Sequence, residues 1–424
     1  MQATIEPGSI AGTIAAPPSK SYTQRVFAAA LLNKGKAIVH GAGSSADESA
    51  ALHIIRQLGA EVVARSANVI EILSQGVRPV SSAIHCGESG LAARLFTPIA
   101  ATVDAPVSIE GAGSLLQRPM KGFAEVLPTL GVGITGGAYL PITVKGPLQP
   151  QSVSINAADS SQFLSGLLFA CCSNAIEPVT ITVEGLASKP YIDLTLAVLR
   201  QFGYPLLHSD YKEFHIDPAL FTHKDVVAIN VEGDWSSAAN LLVAGTIGGD
   251  ITVSNLDLNS TQADRAILQV LQLAGASVAV SEGSVSAKRA RMSSFEFDAT
   301  DCPDLFPVLA ILAACCDGES YITGVHRLFH KESNRAHSIS EMLDNFAVPF
   351  SVEDDVLCVT GVRRLRGTVI DGYNDHRIVM AAAIGALRAS GPVDILQADA
   401  VSKSYPAFFE DLISCGGKCI FSEA

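Results

Sequence analysis

The chain has 424 residues, 48% hydrophobic and 17% charged, enough to bury large cores and too long for one ordinary domain. Its formal net charge of −13 argues against nucleic acid or an anionic membrane surface as the main partner. The longest apolar stretches, such as 305–316, are too short to span a bilayer. The opening MQATIEPGSIAG has neither the basic start nor the apolar run of a signal peptide, so a cytoplasmic protein is expected. Nine cysteines in a chain this long do not make a disulfide framework. Cys171-Cys172 and Cys315-Cys316 read as small core residues, and Cys415 and Cys419 have no second pair at metal-ligand spacing.

Six segments in chain order share one ending. Each is a stripe of apolar residues at helical spacing that closes on a small residue: Gly59, Gly131, Gly203, Gly275, Ala347 and Gly416. Four successive intervals are 72 residues and the last is 69. A fixed long period means one supersecondary unit copied many times. The closing residue suits a left-handed helix C-cap, and the β-branched runs nearby, such as VTITVEG and DITVSNL, read as strands.

A second helix in each unit opens on a polar cluster. In order these are Ser19-Lys20-Ser21, Glu88-Ser89-Gly90, Asp159-Ser160-Ser161-Gln162, Asp234-Trp235-Ser236-Ser237, Asp301-Cys302-Pro303-Asp304 and Asn374-Asp375-His376-Arg377. Each runs into apolar, alanine-rich sequence. One such cluster alone is an N-cap. Six in phase imply that several helix N-termini converge, and helix N-termini bind anions. A substrate carrying phosphates or carboxylates follows.

The six units divide into two halves. The chain is expected to cross between them at Ala16-Pro17-Pro18-Ser19 and near Asn230-Val231-Glu232-Gly233. One domain then holds 1–18 with 232–424, and the other, 19–231, is inserted into it. Two adjacent crossings make a hinge, with the ligand cleft expected between the domains.

Walker, dinucleotide, H-E-x-x-H and G-x-S-x-G signatures are absent. Basic residues stand beside the helix starts and turns instead: Lys20, Arg25, Arg94, Arg118, Lys331, Arg335, Arg377 and Lys403. In an acidic protein they make a local positive focus for anions. Two carboxylates lie among them, Asp304 and Glu332. Spacing leaves two readings of these open, ion-pair partners or general acids and bases.

These motifs resemble the enolpyruvyl transferase family, most closely its shikimate branch, the 5-enolpyruvylshikimate-3-phosphate synthases. The strings are SKSYTQR (19–25), SGLAAR (89–94), LQRP (116–119), DSSQFLSGLL (159–168), ASKPYIDLT (187–195), PD (303–304), KESNR (331–335), NDHR (374–377) and SKSYP (402–406). The resemblance implies an α/β fold of two domains with six βαβαββ-type repeats, three per domain, arranged as an inverted α/β barrel. It implies transfer of the enolpyruvyl group of phosphoenolpyruvate to the 5-hydroxyl of shikimate 3-phosphate, with release of phosphate. No redox cofactor or metal is required, and a monomer without nucleic-acid or membrane partners is expected.

By motif position, the resemblance gives Ser21 and Arg25 the shikimate carboxylate. Ser160, Ser161, Ser188 and Lys331 take its 3-phosphate, Tyr191 lies against the ring, and Gln162 bridges the two substrates. Lys20, Gly90, Arg118 and Lys403 surround the phosphate of phosphoenolpyruvate, whose carboxylate falls to Arg335 and Arg377. Asp304 polarises the attacking hydroxyl, and Glu332 shuttles a proton to and from C3. Lys20, Asp304, Glu332 and Lys403 form the expected catalytic set. The division of the proton transfers among Glu332, Asp304 and Lys20 stays open.

Three positions depart from the family pattern. Glu88 replaces a neutral amide, and Leu91 replaces a hydroxyl. Both changes bear on phosphoenolpyruvate affinity and on the response to glyphosate, the family's inhibitor. The turn Arg327-Leu328-Phe329-His330 lacks the usual Asn-x-Arg, and Arg327 is a candidate replacement contact for the substrate phosphate. The runner-up is the related UDP-N-acetylglucosamine branch, which typically carries a catalytic cysteine five residues before the loop arginine; here that place is Gly113. A non-catalytic binding protein of the same fold would be expected to have lost Lys20, Asp304, Glu332 or Lys403, and all four are present.

Overall fold

A computed structural model describes every residue except Ala67, Lys121, Asp159 and Ala424, and leaves out the side chains of Ala64 and Arg65. It contains six four-stranded sheets, one for each repeat seen in the sequence. In the third repeat the order is strand Val153–Asn156, helix Gln162–Asn174, strand Val179–Glu184, helix Lys189–Gln201, and strands Leu207–Ser209 and Glu213–Ile216. The first two strands are parallel and the remaining pairings antiparallel, giving the spatial order first, second, fourth, third. This is the expected βαβαββ unit. Among the described residues no sheet closes on itself, so the expected barrel is not a hydrogen-bonded one.

Three repeats complete their sheets with a strand from elsewhere in the chain. Strand Ile10–Ala15 precedes the first repeat's helix but pairs with Gly249–Ser254 of the fourth. Strand Val226–Asn230 precedes the fourth repeat's helix but pairs with Lys36–His40 of the first. The N-terminal strand Gln2–Glu6 enters the sixth sheet between Val393–Ile395 and Lys418–Ser422. The chain forms two compact units accordingly, Met1–Pro17 with Glu232–Ala424, and Pro18–Val231.

In each unit the three alanine-rich helices form the centre. Lys20–Leu32, Gly90–Ala100 and Gln162–Asn174 pack against one another in one unit, and Trp235–Gly248, Phe306–Ala314 and His376–Ala386 do so in the other. Several, such as Gly90–Ala100 and His376–Ala386, are buried along their whole length, as all-round apolar helices must be. At Gly166 a Cβ would lie 2.5 Å from the Arg94 carbonyl oxygen, so glycine allows two of these helices to touch by backbone. No helix is long and apolar enough to cross a membrane. All nine cysteines are free thiols, with Cys171, Cys172 and Cys316 buried.

The parallel strand pair decides where the polar helix starts lie. In the second, third, fifth and sixth repeats each strand of the parallel pair is followed by a helix, so both helices begin beyond the carboxyl ends of that pair. Side-chain caps secure four of the first helices: Ser19 accepts from the Tyr22 N–H, Ser89 from Ala92, Asp234 from Ser237 and Asp375 from Arg377. Ser160 accepts from the Gln162 N–H in the third repeat, whereas Asp159 lies outside the described residues. The fifth repeat instead enters its helix through the 3₁₀ turn Pro303–Leu305.

The closures on which the period rests are left-handed, as expected. The five glycines have φ between +69° and +101°, and Ala347 has φ +59°. In every case the next N–H bonds to the carbonyl five residues back, for example Ala60 to Ile55 at 2.8 Å and Val348 to Leu343 at 2.9 Å. This is the Schellman arrangement. Ala347 alone carries a Cβ there, against a left-handed cost of about 1–2 kcal/mol that unfolded-chain entropy partly offsets. Ala347→Gly is therefore expected to stabilise the unit by roughly 0.5–1 kcal/mol. Denaturant titration checks this, and a lowered midpoint would contradict it.

Candidate active site

In the unit Glu232–Ala424 the site is built around Arg335, which begins helix Arg335–Asn345 and is fully enclosed. Its Nε donates to Asp375 Oδ2 at 2.8 Å, Nη1 to Asp304 Oδ1 at 2.8 Å, and Nη2 to Glu332 Oε2 at 2.7 Å and Asp375 Oδ1 at 3.1 Å. Asp375, also fully buried, accepts from Ser333 Oγ at 3.0 Å and from the Arg377 N–H at 3.0 Å. Lys331 Nζ lies 3.6 Å from Asp304, and Arg377 Nη2 3.5 Å. The structure thus joins Asp304, Lys331, Glu332, Arg335 and Arg377 in one cluster.

The electrostatics follow from that crowding. Burial alone would raise the Asp304 pKa, but Lys331, Arg335 and Arg377 together hold it well below the usual carboxylate range. Burial pulls the Lys331 ammonium down to about 8, with Arg335 and Arg327 adding to the fall and Asp304 and Glu332 opposing it. Arg327 is thus close enough to be felt at Lys331. Arg377 is almost fully buried, and among the described residues its Nε and Nη1 have no hydrogen-bond partner. Three N–H donors of the guanidinium, one on Nε and two on Nη1, therefore lack an acceptor among the described residues.

Asp264 was not expected. It is buried, accepts a short hydrogen bond from Ser236 Oγ, and its carboxyl is pushed up to about 7 by burial and by the charge of Asp304, against Arg377. Lys403 Nζ donates to the Asn374 carbonyl at 2.6 Å. That turn holds Tyr373 and Asn374 at φ +52° and +49°, left-handed strain of the kind that functional sites retain.

In the unit Pro18–Val231 the positive groups form three smaller arrangements. Lys20 Nζ pairs with Asp47 at 3.0 Å, both nearly buried; Asp47 was also not expected. Arg25 is buried, donating from Nε to Thr195 Oγ1 at 2.8 Å, from Nη1 to the Ser21 carbonyl at 2.8 Å and from Nη2 to the Tyr191 carbonyl at 3.3 Å. Its guanidinium also lies 5.9 Å from the Tyr191 ring centroid. Among the described residues no carboxylate pairs with it, and burial pulls its pKa down to about 10. An enclosed, uncompensated cation is what an anionic group would satisfy.

Arg94 donates to the Gly90 carbonyl, Gln162 Oε1 and the Pro119 carbonyl. Arg118 lies against Gly90, where a Cβ would come within 2.5 Å of its Nη1. Ser188, at φ +58°, is a buried left-handed residue at the start of helix Lys189–Gln201. Ser161 is buried at the start of helix Gln162–Asn174, with Ser160 beside it. The departures from pattern also have partners. Leu91 belongs to the apolar core. Glu88 Oε2 accepts from the Ser114 N–H at 2.9 Å and Oγ at 3.0 Å, which makes its carboxylate part of the loop structure.

Comparison with known proteins identifies the family. Residues 5–412 match the family described as EPSP synthase (3-phosphoshikimate 1-carboxyvinyltransferase). A 3-phosphoshikimate 1-carboxyvinyltransferase of Thermococcus kodakarensis is 36% identical over 403 residues, covering 95% of this chain and 97% of the relative. One from Clostridium novyi is 32% identical over 425 residues, with 97% of each covered. Among solved structures, an EPSP synthase of Acinetobacter baumannii superposes with a TM-score of 0.83 at 25% identity over all of both chains. The enolpyruvyl transferase NikO of Streptomyces tendae, at 16% identity and a TM-score of 0.79 over 99% of this chain and 98% of its own, shares the fold. On the near-complete family match and these full-length relatives, the chain belongs to the EPSP synthase family.

Proposed function

We propose that the chain transfers the enolpyruvyl group of phosphoenolpyruvate to the 5-hydroxyl of shikimate 3-phosphate. The observation that supports this most is the Arg335 hub, in which one buried guanidinium holds both candidate acid–base carboxylates beside Lys331 and Arg377. In this reading Ser21 and Arg25 take the shikimate carboxylate. Ser160, Ser161, Ser188 and Lys331 take the 3-phosphate, with Tyr191 against the ring. Lys20, Gly90, Arg118, Gln162 and Lys403 take the phosphate end of phosphoenolpyruvate, and Arg377 with Arg335 its carboxylate.

The hub suggests how the proton transfers are set. Arg335 already donates to three carboxylates, so an incoming carboxylate reaches it by displacing Glu332 or Asp304. Glu332, released from the guanidinium and facing a new negative charge, gains proton affinity. It can then protonate C3 as the hydroxyl oxygen bonds to C2. After the C2–O bond to phosphate breaks, the same carboxylate takes a proton back from C3. Asp304, held ionised, accepts a hydrogen bond from the hydroxyl and orients it. The proton that the hydroxyl loses on bonding to C2 leaves on the departing phosphate, so that the proton lent to C3 and returned to Glu332 closes the balance.

Lys331 gives a pH signature. A bound phosphate favours the ammonium form and raises its pKa from about 8. Above that pH the empty site is largely neutral at Lys331, so binding shikimate 3-phosphate must take up a proton, and affinity falls by up to about tenfold per pH unit. Titration calorimetry at pH 9 in buffers of different ionisation heat is expected to show this uptake; its absence would contradict the assignment.

The UDP-N-acetylglucosamine alternative meets an obstacle at Gly113. A Cβ there would lie 2.3 Å from Glu88 Oε2, where that branch typically carries its cysteine. Mass spectrometry of the product tests the proposal. An enolpyruvyl ether of shikimate 3-phosphate is expected, and formation of the sugar-nucleotide ether alone would overturn it.

A further inference from the structure

Two neighbouring loops, 86–90 and 110–118, exchange side chains. Their backbones are joined by Cys86 N–H to the Glu110 carbonyl and Ala112 N–H to the Gly87 carbonyl, both 2.8 Å. The first loop gives Glu88 to the second, where its Oε2 accepts from Ser114 N–H and Oγ at the start of the 3₁₀ turn Gly113–Gln117. Gly113, at φ +52°, is packed so closely on this carboxylate that any Cβ would meet it. The turn is anchored by fully buried Leu115, whose carbonyl accepts from the Arg118 N–H at 3.1 Å. The second loop then gives Arg118 back to the first, against Gly90. Each loop thus has a glycine that leaves room for the other's charged side chain.

We propose that Glu88 is a positioning residue, which holds the Gly113–Gln117 turn and thereby fixes the Arg118 guanidinium at Gly90, in the cradle that takes the phosphoenolpyruvate phosphate. This rests on the function proposed above. Charge alone gives the opposite expectation, since a carboxylate near an anion site weakens binding and its removal would tighten it. A carboxylate accepting from an N–H and an O–H makes charge-assisted hydrogen bonds, about twice as strong as neutral ones. Neutralising Glu88 without replacing that acceptor loosens the turn.

The test compares wild type with Glu88→Ala, Glu88→Gln and Ser114→Ala, measuring kcat and each KM, with thermal melting to confirm folding. Glu88→Ala is expected to raise the KM for phosphoenolpyruvate on the order of tenfold, the size of one charge-assisted hydrogen bond. Its kcat and the KM for shikimate 3-phosphate are expected to stay within about twofold. Glu88→Gln recovers most of the loss, because the amide oxygen still accepts from Ser114 N–H. Ser114→Ala, which removes one of the two donors, moves the same KM in the same direction by less, and serves if Glu88→Ala does not fold. An unchanged or lowered KM for phosphoenolpyruvate in Glu88→Ala, with wild type active, would overturn this inference alone. Wild type that releases no phosphate would overturn the functional reading, and this inference with it.

Discussion

Glutamine in place of Glu332 is expected to lower turnover by about 10²–10⁴-fold, the range for loss of a general acid–base group. Affinity for shikimate 3-phosphate should stay within a few-fold. The amide keeps the size of the carboxylate and can still accept from Arg335 Nη2, now at 2.7 Å, so the hub keeps its shape. It loses the ability to give and take a proton at C3. Pre-steady-state turnover, with substrate binding measured separately, checks this. Near-normal turnover would remove Glu332 from the proton transfer and leave it as an ion-pair partner of Arg335.

Arg335→Met is expected to cost about 3–5 kcal/mol of stability, the range for a broken buried ion pair. In a unit of this size that lowers the thermal midpoint by roughly 10 °C. The cost falls mainly on Asp375. Asp304 and Glu332 side chains are 24% and 17% exposed and can turn toward water, whereas Asp375 is 0% exposed. Adding Asp375→Asn should therefore recover much of the loss, because removing both charges of a buried pair is often close to neutral. Equal destabilisation in the single and double variants would show that packing, rather than the stranded carboxylate, sets the cost. Arg335→Lys retains one charge but cannot span three carboxylates, so it is expected to fall between. An activity loss in Arg335→Met alone would not identify a substrate contact, since folding is disturbed as well.

The repeat was legible because glycine is the residue a left-handed helix end selects, so six Schellman closures left a visible beat. The first-helix starts were legible as caps before alanine-rich runs. The second-helix starts carried a signal that was missed. In the first, fourth and fifth repeats Asp47, Ala263 and Arg335 stand twelve residues before the closure, each within one residue of the start of the second helix, with Asp264 one place on. In those three repeats helical segments of similar length end at the same kind of closure and therefore begin at nearly the same offset. That phase points to Asp47 and Asp264, which no motif singled out.

Partnership was not legible. Nothing in KESNR or NDHR shows that Arg335 takes Asp304, Glu332 and Asp375 together, because those contacts join three helix starts spread over 72 residues of chain. Nor could sequence show that Glu88 spends its charge on Ser114. The exchange of Ile10–Ala15 for Val226–Asn230 is hidden for a similar reason: both runs suit a parallel strand, and only pairing tells them apart.

The most direct test of the central claim is phosphate release from phosphoenolpyruvate by the purified chain, with shikimate 3-phosphate or UDP-N-acetylglucosamine as the acceptor. Release that depends on shikimate 3-phosphate, and is absent with the sugar nucleotide, is the predicted result. Release only with the sugar nucleotide, or none with either acceptor from folded protein, would contradict it.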